Sequence, residues 1–100
     1  MNETKSERYY NKEGLLHRED GPAIEYVDGG EEYWVNGLLH RLDEPAVIYP
    51  DSGTYYWVTG ERHRTDGPAV IYPDGTHYFY IHGKHYDTEL EYIMALGKLV

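Results

Sequence analysis

Apolar residues in this chain come in short runs that alternate sides, the pattern of strands rather than helices. In "PAVIYPDGTHYFYIHG" (residues 68–83) two β-rich runs flank Asp74-Gly75, a hairpin signal. In "EYWVNGLLH" (residues 32–40) alternation puts Tyr33 and Val35 on one side and Trp34 on the other, ahead of a turn at Asn36-Gly37. That second turn recurs as Thr59-Gly60 and His82-Gly83, where only the glycine is kept. The pattern predicts one position of positive φ, as in a type II turn or a type I turn with a bulge; a type I′ turn needs two, which threonine resists. The period changes only in "DTELEYIMALGKL" (residues 87–99). There Thr88 and Glu91 form a capping box, and Leu90, Ile93, Met94 and Gly97 share one helical face. A helix is expected from Glu89 to Ala95 or Leu96, packed on the strands before it.

The strand pattern repeats. Gly14, Gly37, Gly60 and Gly83 are 23 residues apart, as are His17, His40 and His63, Arg18, Arg41 and Arg64, and Asp20, Asp43 and Asp66. Pro22, Pro45 and Pro68 keep the same spacing, with Tyr26, Tyr49 and Tyr72, and Asp28, Asp51 and Asp74. It continues through Tyr33, Tyr56 and Phe79 and through Trp34, Trp57 and Tyr80, with an unbroken phase read from Tyr9 to Gly83. The glycine of "DGPA" is replaced by Glu44 in one copy. A residue before proline is extended, so that glycine is not required for φ. The expected fold is all-β: a single-layer antiparallel meander with two main strands per repeat. Repeats span about 9–31, 32–54 and 55–77, a partial repeat spans 78–87, and a capping helix spans about 88–97 of one domain, 1–100. An open sheet leaves edges, and the helix is expected to cover one.

Composition narrows the class. No apolar run approaches membrane-spanning length, and the start "MNETKSER" is polar, unlike a secretory signal. Absence of cysteine excludes disulfides, thiol nucleophiles and cysteine-ligated zinc, and fits a reducing cytoplasm. A net charge of −9 opposes direct nucleic-acid or anionic-membrane binding and favours a basic protein surface. Twelve tyrosines and two tryptophans supply interface-type residues.

The pattern "NG…H…(G)P…DG…YYWV" over residues 9–86 resembles the MORN repeat and its divergent variants. The form "HR-x-DGPA" resembles arrays in proteins of bacteriophages, large DNA viruses and some bacteria. The resemblance implies a β-repeat fold and, from the roles associated with such repeats, scaffolding or phospholipid binding; the acidic balance argues against the latter.

"HREDGPA", "HRLDEPA" and "HRTDGPA" (residues 17–23, 40–46 and 63–69) look like a catalytic motif in triplicate. Equivalent residues of successive repeats lie two strands apart, roughly 9–10 Å. His17, His40 and His63 therefore cannot share a metal ion, whose nitrogen ligands sit about 2 Å from it. Chemistry normally needs one asymmetric constellation, and neither a nucleophile setting nor a glycine-rich phosphate loop is present. No enzyme activity, cofactor or metal is expected. The motif reads as a tie between repeats: histidine and aspartate bond the backbone and each other, and arginine forks onto aspartate. The last copy supports this, with Tyr86 and Asp87 standing where histidine and arginine would. An alternative uses the ladder His17, Arg18, His40, Arg41, His63 and Arg64 to hold a phosphorylated small molecule or nucleotide.

Partner contacts are expected instead from Trp34, Trp57, Tyr80, Tyr55 and Tyr78, which alternation places on one face. The resulting expectation is a non-enzymatic, cytoplasmic protein-binding module. By analogy with phage proteins, it would be an inhibitor occluding a basic surface of a host defence or nucleic-acid-binding protein. The other alternative is a scaffold assembling with its own copies through sheet edges.

Overall fold

The computed structural model describes residues 6–97; part of the polar start read as lacking a signal, residues 1–5, and residues 98–100 lie outside them. Twelve strands and a helix follow in chain order: β1 (Glu7–Arg8), β2 (Ile24–Glu25), β3 (Glu31–Glu32), β4 (Trp34–Val35), β5 (Leu38–Leu39), β6 (Val47–Tyr49), β7 (Gly53–Tyr55), β8 (Trp57–Val58), β9 (Glu61–Arg62), β10 (Val70–Ile71), β11 (His77–Ile81), β12 (Lys84–Tyr86) and α1 (Glu89–Gly97). Eight strands make one antiparallel sheet, ordered β1-β2-β3-β6-β7-β10-β11-β12, and β4-β5 and β8-β9 form two-stranded ribbons. Only Tyr33 separates β3 from β4 and only Tyr56 separates β7 from β8, so each pair is one rising strand. Its return partner is interrupted: β5 pairs with β4 and β6 with β3, while the "HRLDEP" segment loops out between them. Neighbouring ribbons are joined as well, Arg41 N–H donating to Trp57 O (3.0 Å) and Gly60 N–H to Leu39 O (2.9 Å). The molecule measures 49 × 32 × 17 Å, its thin dimension that of one sheet with its side chains. It is an open β-sheet with one short C-terminal helix.

Cross-strand partners share a face. Ile24 pairs with Glu32, Val47 with Glu32 and Tyr55, and Val70 with Tyr55 and Tyr78. Two residues further along, the same face carries Trp34, Trp57 and Tyr80. Tyr33, Tyr56 and Phe79 fall on the opposite face, as alternation requires, above the fully buried Ala23, Ala46 and Ala69. The Asp74-Gly75 turn forms as expected, with Tyr72 N–H on Thr76 O (2.8 Å).

The second turn corrects the sequence reading. Both central residues have positive φ: 50° and 83° at Asn36-Gly37, 49° and 80° at Thr59-Gly60, 47° and 81° at His82-Gly83. With two-residue loops, this is the type I′ pattern, whose twist matches the flanking strands. Support for the unfavourable residue comes from the repeat before. The Nδ1 of His17, His40 and His63 accepts the N–H of Asn36 (3.0 Å), Thr59 (2.9 Å) and His82 (2.8 Å). The first turn has no earlier histidine and is built differently, with Asn11 Oδ1 accepting the N–H groups of Glu13 (2.9 Å) and Leu15 (3.0 Å). It is one residue longer: Tyr10 pairs with Leu16 where Trp34 pairs with Leu39. Tyr9 therefore matches Tyr33, each donating its N–H to the carbonyl of Ala23 or Ala46. The 23-residue phase starts at Gly14, not at Tyr9 as the sequence suggests.

Two of the three arginines reach the aspartate of their motif as expected, and the histidine–aspartate pairs do not form. Arg18, Arg41 and Arg64 lie over the rings of Tyr9, Tyr33 and Tyr56 at 4.0, 3.9 and 4.0 Å. Their Nη1 groups donate to the carbonyls of Pro22, Pro45 and Pro68 at 3.2, 3.2 and 3.0 Å. Arg18 and Arg64 reach Asp20 (3.2 Å) and Asp66 (2.9 Å), but Arg41 pairs with Glu44 (2.8 Å) rather than Asp43. Histidine points onward to the next turn, so it never meets the aspartate of its own motif. The glycine of "DGPA" provides room: a Cβ on Gly67 would sit 2.9 Å from Arg64 Cζ, and one on Gly21 3.2 Å from Arg18 Cζ. Where Glu44 takes that place, Asp43 adopts φ 68°.

Helix α1 begins where its cap predicts, with Thr88 Oγ1 accepting the N–H of Glu91 (3.1 Å). Its buried face is not the expected one. Leu90, Ile93 and Met94 are 67%, 53% and 60% exposed, whereas Tyr92 is 3% exposed and packs with Phe79 and Ile81. Tyr92, Ala95 and Leu96 have an equally good helical spacing, and only Tyr92 carries a hydroxyl able to reach the loop carbonyls beneath. The helix lies on the face of β11 and β12; β12 remains the outermost strand, so its main-chain edge is not covered.

Candidate functional site

The five expected anchors, Trp34, Trp57, Tyr80, Tyr55 and Tyr78, come together on one face, with Tyr78 the most open of them at 40% exposure. The sequence reading left out the row that connects them. Tyr26, Tyr49, Tyr55, Tyr72 and Tyr78 stand edge to face in succession, ring centroids 6.1, 6.1, 6.1 and 6.0 Å apart, and His85 ends the row 5.7 Å from Tyr78. Such contacts add to area burial and hold the rings in fixed orientations. The recurrence of Tyr26, Tyr49 and Tyr72 was visible at 23-residue spacing, but not that their rings would bridge to those of the next strand.

Three charged residues stand on this face: Arg8 on the edge strand opposite Ile24, then Glu32 and Arg62. Glu32 occupies the column of Tyr55 and Tyr78 and is 7% exposed. Its carboxylate accepts hydrogen bonds from Tyr26 Oη (2.9 Å), Trp34 Nε1 (2.9 Å) and Tyr49 Oη. Burial first, and the Glu32 carboxylate second, push the phenols of Tyr26 and Tyr49 above the ordinary tyrosine range. Arg62 occupies the column of Leu16 and Leu39. Its guanidinium lies 5.4 Å from the ring of Trp57 and 5.3 Å from that of Tyr80, and donates to Tyr80 Oη (3.2 Å). Its Nε is buried without a partner. Sequence alone could have flagged Arg62, a charge where earlier repeats carry Leu16 and Leu39.

The alternative ligand residues lie on the opposite face. Arg18, His40 and Arg41 line an open groove of about 450 Å³ with Tyr33, and Arg41, His63 and Arg64 a smaller one of about 250 Å³ with Tyr56. Asp20 lines the first groove, Asp43 and Asp66 the second. All three histidines spend Nδ1 on a turn N–H, and all three arginines are stacked and hydrogen-bonded within the chain. The His63 imidazole is held below its ordinary value, by burial first and His82 second. Among the described residues, no three His, Asp or Glu side chains are grouped to hold a metal ion. No helix among the described residues is long and apolar enough to cross a membrane. No family model, curated protein or solved structure matches this chain.

Proposed function

We propose that this chain is a MORN-like, non-enzymatic protein-binding module whose aromatic face receives a partner with a basic surface. The observation that carries the reading is the unbroken tyrosine row flanked by Trp34, Trp57 and Tyr80 on an open sheet face. Aromatic residues held rigidly lose little freedom on binding and supply large contact areas, which is why they dominate interface energetics. Asp28, Asp51 and Asp74 recur at the turns beside the row, and the net charge of −9 steers a basic partner towards the molecule. The resemblance to phage-type repeats favours an inhibitor that occludes a host surface in the cytoplasm. The His/Arg ladder is the weaker candidate site, because its polar groups are already engaged in joining the repeats.

The test is affinity capture from a bacterial lysate, followed by measurement of the captured protein against wild type, Trp34→Ala and Trp57→Ala at two salt concentrations. The reading expects slower association at higher salt and weaker binding by both variants, with stability reduced less than affinity. Capture indifferent to salt and to both substitutions rejects it. Native mass measurement separates it from self-assembly through β1 and β12.

A further inference from the structure

Glu32 breaks the repeat at a cost the fold does not require, since Tyr55 and Tyr78 fill the same column. Its carboxylate is buried and accepts three hydrogen bonds, all from neutral donors. No Lys, Arg or His among the described residues forms an ion pair with it. A buried anion without a counter-ion draws a cation to the nearest accessible surface. That surface is a cavity of about 360 Å³ lined by Tyr26, Tyr49, Pro50, Asp28, Asp51 and Ser52. Its two tyrosines are those whose hydroxyls bond Glu32, so the phenol rings link the cavity to the buried charge. The chain itself shows what such rings accept: arginine lies over Tyr9, Tyr33 and Tyr56 at about 4 Å, and Arg8 lies 5.9 Å from the Tyr26 ring.

We infer that the cavity between Tyr26 and Tyr49 is a receptor for an arginine side chain of the partner protein, its guanidinium held against the two rings, between the Asp28 and Asp51 carboxylates and in the field of Glu32. This deepens the reading of the aromatic face and rests on it for the identity of the partner as a protein. Glu32 acts through the rings as a positioning charge, while the rings and the two aspartates make the contacts. A guanidinium suits the site better than an ammonium, because it stacks on aromatic faces and sheds water more readily.

The test needs no partner. Trp34 and Trp57 are the chain's two tryptophans, and only the Trp34 indole N–H donates to Glu32. Titration with N-acetyl-arginine amide at constant ionic strength, followed by the two indole N–H resonances, is expected to give a saturable millimolar shift at Trp34 and a smaller one at Trp57. The neutral isostere N-acetyl-citrulline amide should give none. Glu32→Gln keeps the size and an acceptor oxygen, and should weaken arginine binding on the order of tenfold through loss of charge. The exposed pair Asp28→Asn with Asp51→Asn, which leaves the buried network intact, should weaken it as well. Lack of a saturable Trp34 shift, equal binding of citrulline, or unchanged affinity in both variants would overturn the inference. A partner captured through Trp57 in the face of such a result would leave the aromatic-face reading standing, so the two fail separately.

Discussion

The ring of Tyr92, carried by the terminal helix, lies on the ring of Phe79 with centroids 4.6 Å apart, where an arginine covers the equivalent ring of earlier repeats. The arginine is missing because Asp87 stands in its column. Tyr92 also adds to Arg64 in tying down the loop before Pro68, its hydroxyl lying 2.9 Å from Gly67 O and accepting the Gly67 N–H at 3.3 Å. One aromatic side chain thus closes the arginine ladder at its C-terminal end.

Removing that closure should be costly. Tyr92→Ala is expected to destabilise by about 3–4 kcal/mol, as for other buried aromatic truncations, read from the urea midpoint. Leu90→Ala or Met94→Ala, on the exposed side of the same helix, should change stability by less than about 0.5 kcal/mol. Deleting residues 88–100 should expose Phe79 and Ile81 and produce aggregation or partial unfolding, seen by light scattering.

The ladder aspartates separate from one another. Asp66 pairs with Arg64 from an exposed position, so Asp66→Ala should cost no more than about 1 kcal/mol. Asp43 has no arginine contact and sits at φ 68°, where asparagine or glycine is easier, so Asp43→Asn should be neutral or slightly stabilising. Equal losses at both positions would contradict this division.

Thr59 occupies a left-handed position that Asn36 fills in the preceding repeat. Thr59→Asn is expected to raise stability by about 0.5–1 kcal/mol through relief of backbone strain. His40→Ala removes the acceptor for the Thr59 N–H and should cost about 1 kcal/mol. Thermal unfolding of the two single variants and the double variant would show whether the effects are coupled.

Acid should loosen the third histidine tie. His63 accepts the His82 N–H through Nδ1, which an imidazolium cannot do, and its folded-state pKa lies below the unfolded value. The unfolded chain then binds more protons, so stability falls as pH drops through and below about 6.5. Urea midpoints between about pH 7.5 and 5.5 should show this slope, reduced in His63→Gln, which keeps an acceptor that does not titrate.

The repeat itself was legible because spacing in sequence maps directly onto spacing across a meander. Alternation assigned Trp34, Trp57 and Tyr80 to one face and Tyr33, Tyr56 and Phe79 to the other, and the Thr88 cap marked the helix start within a residue. These are local properties of backbone geometry, and nothing distant had to be known. The turns were misread for a corresponding reason. Threonine's own preference opposes positive φ, and the hydrogen bond that overrides it comes from His40, 19 residues earlier.

By itself, then, the sequence determined the two faces of the sheet and the place of the helix, since periods of two and 3.6 residues are written along the chain. Tertiary structure decided which helix face is buried, because Tyr92 and Leu90 satisfy the same periodicity and only contact with Phe79 and the Gly67 loop distinguishes them. It also decided that Glu32 would lie beneath two phenols and an indole. A carboxylate in a tyrosine column reads in sequence as a surface substitution, and becomes a buried charge only when Tyr26 and Tyr49 lean over it from the strands on either side.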